Sequence, residues 1–248
     1  MSLRVYRRQI KKRNSKLIII ETITLPVLEH LGEAVLDLVA ENVTDLAMTH
    51  PSPSHPLFSV FRLVLLTEVR AYLARPVPSQ MELVTAVEDG KLLGFVLCGL
   101  SPSRECGIYY TAVTRSRRNE GIMSLMVRDV VTRYSAISLS CDVQLVPRYE
   151  RYGFEPRSLR KHQVVMAIGN PVEETPILDP NALQQQPPIL QEQFAASERS
   201  SEHAVKTANK AMTKFLKTER KRKRSGICSN ASKSRPRQAE SKSDARSY

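Results

Sequence analysis

The dipeptide Asp89-Gly90 stands between two runs, 82–88 and 91–100, that are rich in Val, Leu and Phe. Asp-Gly suits the positive-φ positions of a tight two-residue turn, so the flanking runs are predicted to pair as antiparallel strands. A hairpin in mid-chain constrains the rest, because it is stable only with further strands beside it and helices over its faces. The surrounding sequence supplies both. Leu17-Ile18-Ile19-Ile20, followed by Thr22 and Ile23, is a short β-branched run that reads as a strand. Pro26 suits a first helical turn, and Val27, Leu28, Leu31, Val35, Leu38 and Val39 then recur at helical spacing. Residues 48–56 read as a loop, since clustered prolines cannot sit inside an element, and 57–74 read as a second amphipathic helix ended by Pro76 and Pro78.

Beyond the hairpin, Pro102 and Ser103 turn the chain into a strand over 107–114. A helix is predicted over 120–134, with Ile122, Leu125, Met126 and Val130 on one face. Strands follow at 137–143 and 163–168, separated by a short helical segment at 147–152 and a Gly153-Phe154 turn. The expected architecture is α/β: a mixed central sheet with flanking helices, large enough to bury its own core.

Composition divides the chain. Residues 1–15 are a basic N-terminal arm and 16–170 the folded domain. Residues 171–190 are a Pro/Gln-rich linker, and 191–248 a basic low-complexity tail, partly helical and otherwise disordered. Within the tail, Lys206, Lys210, Lys214, Lys217 and Lys221 share one helical face and Val205, Ala208, Met212 and Phe215 another. The formal net charge is +12. Residues 1–16 hold Arg4, Arg7, Arg8, Lys11, Lys12, Arg13 and Lys16 with no acid, and the tail is strongly basic, so the middle is mildly acidic. Attraction to a polyanion, whether nucleic acid or an acidic protein, therefore belongs to the ends. No stretch approaches the length of an apolar transmembrane segment, and no signal-peptide pattern opens the sequence. Four cysteines without CxxC spacing point to reduced thiols and a cytoplasmic location.

The segment Arg118-Asn119-Glu120-Gly121-Ile122-Met123 lies between a predicted strand and a predicted helix. A helix N-terminus presents unpaired N–H groups and the positive end of a dipole, which suits a phosphate, and glycine lets the backbone approach a ligand closely. Arg148-Tyr149-Glu150-Arg151-Tyr152-Gly153-Phe154 follows downstream. These two motifs, their spacing and the order of elements resemble the GNAT acetyltransferase family over residues 16–170. The family's phosphate loop has the form Gln/Arg-x-x-Gly-x-Gly/Ala, and Val113 matches the apolar residue ending its fourth strand.

The resemblance implies a GNAT-like fold that binds acetyl-CoA as co-substrate between two splayed central strands. It implies that backbone amides of Arg118, Asn119, Glu120, Gly121, Ile122 and Met123 hold the pyrophosphate. Backbone of Thr111, Ala112 and Val113 would pair with the pantetheine arm, and Tyr149 would donate a proton to the leaving thiolate. This sequence departs from the family at three places. Met123 stands where the family has Gly or Ala. No carboxylate lies near Gly107, where the histone-modifying branch carries a base. Asp142 falls about where an Asn is common, with Pro147 stiffening the short helix.

Other residues have plainer readings. Tyr109 and Tyr110 alternate on a strand, one expected in the core and one in the cleft. Cys98 and Cys106 are expected to meet across a hairpin as buried free thiols. Glu82 and Glu105 read as solvated strand ends, with a role as water-mediated bases the alternative. His50 and His55 have no acidic partner at ligand spacing, so no metal site is expected. Two functional readings stand side by side. One is an acyl-CoA-dependent N-acyltransferase acting on an unidentified amine. The other is a catalytically weak or inactive GNAT-like domain that serves, through its basic ends, as a binding or assembly module such as a virion or nucleic-acid-associated component.

Overall fold

The computed structural model describes residues 5–11, 17–24, 27, 29–74, 81–160, 163–175 and 177–231. In chain order the strands are β1 (Val5–Lys11), β2 (Leu17–Thr24), β3 (Met81–Glu88), β4 (Lys91–Leu100), β5 (Cys106–Val113), β6 (Ile137–Cys141), β7 (Glu155–Arg160) and β8 (Gln163–Ile168). The helices are α1 (Glu29–Glu41), α2 (Val43–Leu46), α3 (Phe58–Leu73), α4 (Ile122–Arg133), α5 (Val146–Glu150), α6 (Pro180–Gln184), α7 (Pro187–Glu198) and α8 (Glu202–Ala231).

The strands form one sheet in the order β1-β2-β3-β4-β5-β6-β8-β7. All neighbours are antiparallel except β5 and β6, which run parallel. The predicted hairpin joins β3 to β4 with Glu88 opposite Lys91, and Asp89 and Gly90 take φ of 51° and 75°. Helices cover both faces of the sheet. On one, α4 and α5 close a core that includes Ile18, Ile20, Val84, Val96, Met126 and Met166. On the other, α1 and α3 close a core of Val35, Val39, Val69, Leu83, Phe95, Leu97 and Ala112, among others. Both follow from the period-2 alternation of the strands and the 3.6-residue stripes of the helices.

Four findings refine the sequence reading. First, the basic arm contains β1, paired antiparallel along β2; residues 1–4 and 12–16, and Pro26, lie outside the described residues. Second, β7 is exposed on every residue, so it carries no hydrophobic alternation for a reader to find. Third, the Pro/Gln-rich stretch carries α6 and α7, which lie against α3 and bury Leu183 and Ile189. Its prolines open helices: Pro180 and Pro187 stand in first turns, where a missing N–H removes no helical bond, and Asp179 caps α6 by accepting from the Asn181 amide at 2.9 Å. The tail is helical to Ala231, and the disorder expected further on falls on 232–248, outside the described residues. Fourth, the β4–β5 register slips between Leu97 and Cys98, which face Tyr110 and Ile108. Tyr109 is thus the extra residue of a bulge, and both tyrosines pack against the α1–α3 core rather than on opposite faces.

Glu82 and Glu105 are structural anchors. Glu82 accepts from Arg133 Nη1 at 2.5 Å and from the Tyr134 hydroxyl at 2.6 Å. Glu105 accepts from the Val172 and Glu173 amides at 2.9 and 2.8 Å. Cys98 and Cys106 are buried thiols, and the hydrogen bond between them, with burial, pushes the Cys98 thiol up.

Candidate active site

The parallel seam is short. β5 and β6 register only at Cys106 with Ile137, Gly107 with Ser138 and Ile108 with Leu139. Beyond it β5 runs on to Val113 and β6 turns to β8, leaving the β6-facing edge of Thr111, Ala112 and Val113 beside a cleft. The cleft has a volume of about 790 Å³. Its walls bring together Thr111, Ala112, Val113, Arg118, Asn119, Gly121, Ile122, Met123 and Tyr149, all predicted from sequence. Glu120 is set back in the same loop.

That loop leaves β5 through a single 3₁₀ turn at Arg115–Arg117 and reaches α4 through two left-handed residues, Asn119 (φ 66°) and Gly121 (φ 80°). No side chain caps α4, so its first-turn amides have no intrahelical acceptor and open toward the cleft. Two arginines brace the loop from opposite sides. Arg117 donates to Glu88 Oε2 at 2.6 Å, Glu88 Oε1 at 3.1 Å and Glu120 Oε1 at 2.9 Å. Arg118 donates to Asn42 Oδ1 and to Asp45 Oδ2, the latter at 2.6 Å. Asn42 is itself buried and tied by its amide to the Leu38 carbonyl at 2.8 Å. The Arg118 side chain therefore ties the loop to α2. Met123 packs at the edge of the α4 core, its sulfur 3.7 Å from Arg148 Nη1.

Tyr149 is buried at the base of the cleft, edge-on to Phe154 at 5.7 Å and to Tyr152 at 6.4 Å. Burial, reinforced by Cys141, raises its pKa above the ordinary phenol value, and the neighbouring Thr111 opposes the shift. The phenol is a held proton at neutral pH. Thr111 Oγ1 is buried without completing a hydrogen bond among the described residues.

The opposite lip carries groups the sequence did not reveal. His50, at φ 48°, is fixed at both ring nitrogens: Nδ1 lies 2.9 Å from the Thr44 carbonyl and Nε2 2.8 Å from Asp142 Oδ2. Both partners accept, so the ring is held as a double donor. Its pKa is raised by the Asp142 hydrogen bond, against the opposing pull of burial. His50 thereby joins the loop after α2 to the end of β6. Arg128, Arg148 and Arg151 also line the cleft, without a carboxylate partner among the described residues. Phe215 and Leu216 of α8 complete the lining. Nothing local in the sequence links 50 with 142 or 216 with the cleft; these are long-range juxtapositions. Among the described residues no cluster of His, Cys, Asp or Glu could hold a metal ion, and no helix is long and apolar enough to cross a membrane.

Residues 50–154 match the family model of the acetyltransferase (GNAT) family, a span that contains the loop, the cleft strands and Tyr149. The family likeness is thus confined to that span of the chain, and the activity it suggests is taken up below. Among solved structures it is similar to the PaiA N-acetyltransferase of Thermoplasma acidophilum in complex with coenzyme A, at 12% identity and TM-score 0.48, covering 61% of this chain and 99% of that one. It is also similar to the GNAT domain of S. lividans PAT, at 9% identity and TM-score 0.47, covering 65% and 96%. A GNAT acetyltransferase of Elizabethkingia anophelis with acetyl-CoA bound aligns at 16% identity and TM-score 0.34, covering 37% and 77%. No curated protein matches the sequence.

Proposed function

We propose that the protein is an acyl-CoA-dependent N-acetyltransferase acting on an amine, with acetyl-CoA as co-substrate. The observation that carries the reading is the strand splay beside the Gly121 loop, with a protonated Tyr149 at its base. The residues present fit such a ligand. The free edge of β5 offers Thr111, Ala112 and Val113 as an extended partner for the pantetheine arm. Amides of Arg118, Asn119, Glu120, Gly121, Ile122 and Met123 suit the pyrophosphate, and Arg128, Arg148 and Arg151 supply unneutralised charge near it. Bound acetyl-CoA supplies an activated acyl thioester. Tyr149 holds a proton at its hydroxyl, ready for a leaving sulfur, and its aromatic neighbours exclude water from that end of the cleft.

One observation favours the second reading, a catalytically weak domain kept for binding. Asp45 and Asp142 line the cleft, and both are held in ion pairs, with Arg118 and His50. Calorimetric titration of the full chain with acetyl-CoA, followed by a turnover assay over an amine panel, separates the two readings. Binding with turnover supports the enzyme, while binding without turnover, or no binding at millimolar coenzyme, refutes the enzyme and favours the module. We further infer that the exposed lysines of α8 and the basic residues after them contact a polyanion, nucleic acid or acidic protein. The buried free thiols support a reducing, cytoplasmic setting for it.

A further inference from the structure

Helix α8 crosses the mouth of the cleft and is held there by little. Of its side chains from 202 to 218, Leu216 is buried at 8% exposure, Ala204, Val205, Ala208, Asn209 and Met212 are half-buried, and Phe215 remains 47% exposed. Phe215 meets the His50 ring edge-on at 6.1 Å. Two turns earlier, Asn209 Oδ1 lies 3.3 Å from His55 Nε2. These polar and aromatic anchors lie on the loop between α2 and α3, one lip of the cleft, and His50 ties that lip to the other through Asp142. Burying one leucine and half-burying a valine, a methionine and two alanines contributes on the order of a few kcal/mol. Fixing a helix and ordering its side chains offsets much of that. Docked and undocked positions of α8 are therefore close in free energy.

An occupant of the cleft can decide between them. Lys206, Lys210, Lys214 and Lys217 are carried on α8, and of these only Lys206 has a carboxylate partner among the described residues, Glu202 at 2.6 Å. The cleft beneath presents Arg128, Arg148 and Arg151. The lysines stand on the helix face away from Phe215 and act on the cleft only at longer range, whereas the three arginines face an anion directly, beside Asp45 and Asp142, which are held in ion pairs. Space for an anion exists, since the cavity of about 790 Å³ persists with α8 in place and Phe215 and Leu216 roof it rather than fill it.

We propose that α8 is a strap that closes over an anionic occupant of the cleft, with Phe215 and Leu216 as its roof, so that ligand binding and helix docking reinforce each other. The inference rests on the coenzyme A reading above and adds a part of the chain outside the matched domain to the binding site. Linkage makes the effect reciprocal: the ligand orders the helix as much as the helix holds the ligand, with typical couplings of about 5–150-fold.

The test uses the full chain and coenzyme A as probe. In the wild type, coenzyme A should slow amide hydrogen exchange over 203–218. Leu216→Asp, which undocks the helix, should weaken coenzyme A binding at least fivefold by calorimetry and abolish that protection. Phe215→Ala, at a half-exposed position, should lose affinity in the same direction without adding charge. Unchanged affinity in both variants, or no protection in the wild type, overturns the strap. Tighter binding by Leu216→Asp overturns it too, and makes α8 an occluding helix. A wild-type chain that does not bind coenzyme A overturns the coenzyme reading itself, and the strap with it.

Discussion

At the residue scale, substitutions at Tyr149 and Gly121 test the proposed chemistry and the proposed binding separately. Tyr149 is a phenol whose pKa burial raises further, so it keeps its proton, and a positioned acid is worth about a hundredfold in rate. Tyr149→Phe should lower turnover by that order and leave coenzyme A affinity nearly unchanged, as steady-state kinetics beside calorimetry will read. Gly121 is the converse case. A Cβ there meets nothing within 4 Å, yet φ is +80°. Gly121→Val should therefore cost about 1–2 kcal/mol of stability from backbone conformation. If the loop holds coenzyme A as proposed, it should also weaken binding by more than tenfold, because the added side chain would stand where backbone approaches the ligand. His50 supplies the pH-dependent case. Its pKa is raised in the folded state by Asp142, with Asp45 adding to the field and Thr44 accepting from Nδ1. A raised pKa means the contribution is fully present below the unfolded value of about 6.5 and is lost as pH rises through the folded one. The melting temperatures of wild type and His50→Gln should thus differ most in mild acid and converge in alkali.

At the scale of elements, what could be read depended on whether a segment's partner left a local trace. The β3–β4 hairpin, α3, α4 and β8 announced themselves because burial on one face imposes a period. β7 did not, since Glu155, Pro156 and Arg157 are exposed and its only sheet neighbour is β8. The prolines at 180 and 187 misled for a local reason: the same residue breaks a helix interior and opens a helix. In the candidate site, the loop at 118–123 stood out as a strand–helix junction and Tyr149 through the family resemblance, and the structure places both beside the cleft. The arginine braces to Glu88 and Asp45 and the His50–Asp142 bridge did not stand out, because each joins residues far apart in sequence. Gly94 on β4 is another such meeting: a Cβ there would lie 2.8 Å from the Ala112 carbonyl oxygen and 2.9 Å from Met126 Cε. Since the carbonyl is backbone, Gly94→Ala must separate β4 from β5. A loss of about 1–3 kcal/mol is expected by urea denaturation, as in other overpacked cores.

At the scale of the whole molecule, charge is segregated: both ends are basic and the middle is mildly acidic. If the tail contacts a polyanion, replacing Lys210, Lys214 and Lys217 together by Ser should lower affinity for duplex DNA. It should also shrink the slope of log affinity against log salt by about 3, one counterion per removed contact. Equal slopes for the two proteins would confine any such contact to other basic residues.

The short β5–β6 seam has a temporal meaning as well. The α1–α3 core draws its fully buried members from residues 35–112 alone, all on the near side of the seam. The α4–α5 core needs Ile137, Leu139, Val164 and Met166 from the far side. A nascent chain emerging N-terminus first can close the former core on β2–β5 before β6 has been synthesised, and the latter only after β8. The cleft, lying on that boundary, is complete only once both halves of the sheet are in place.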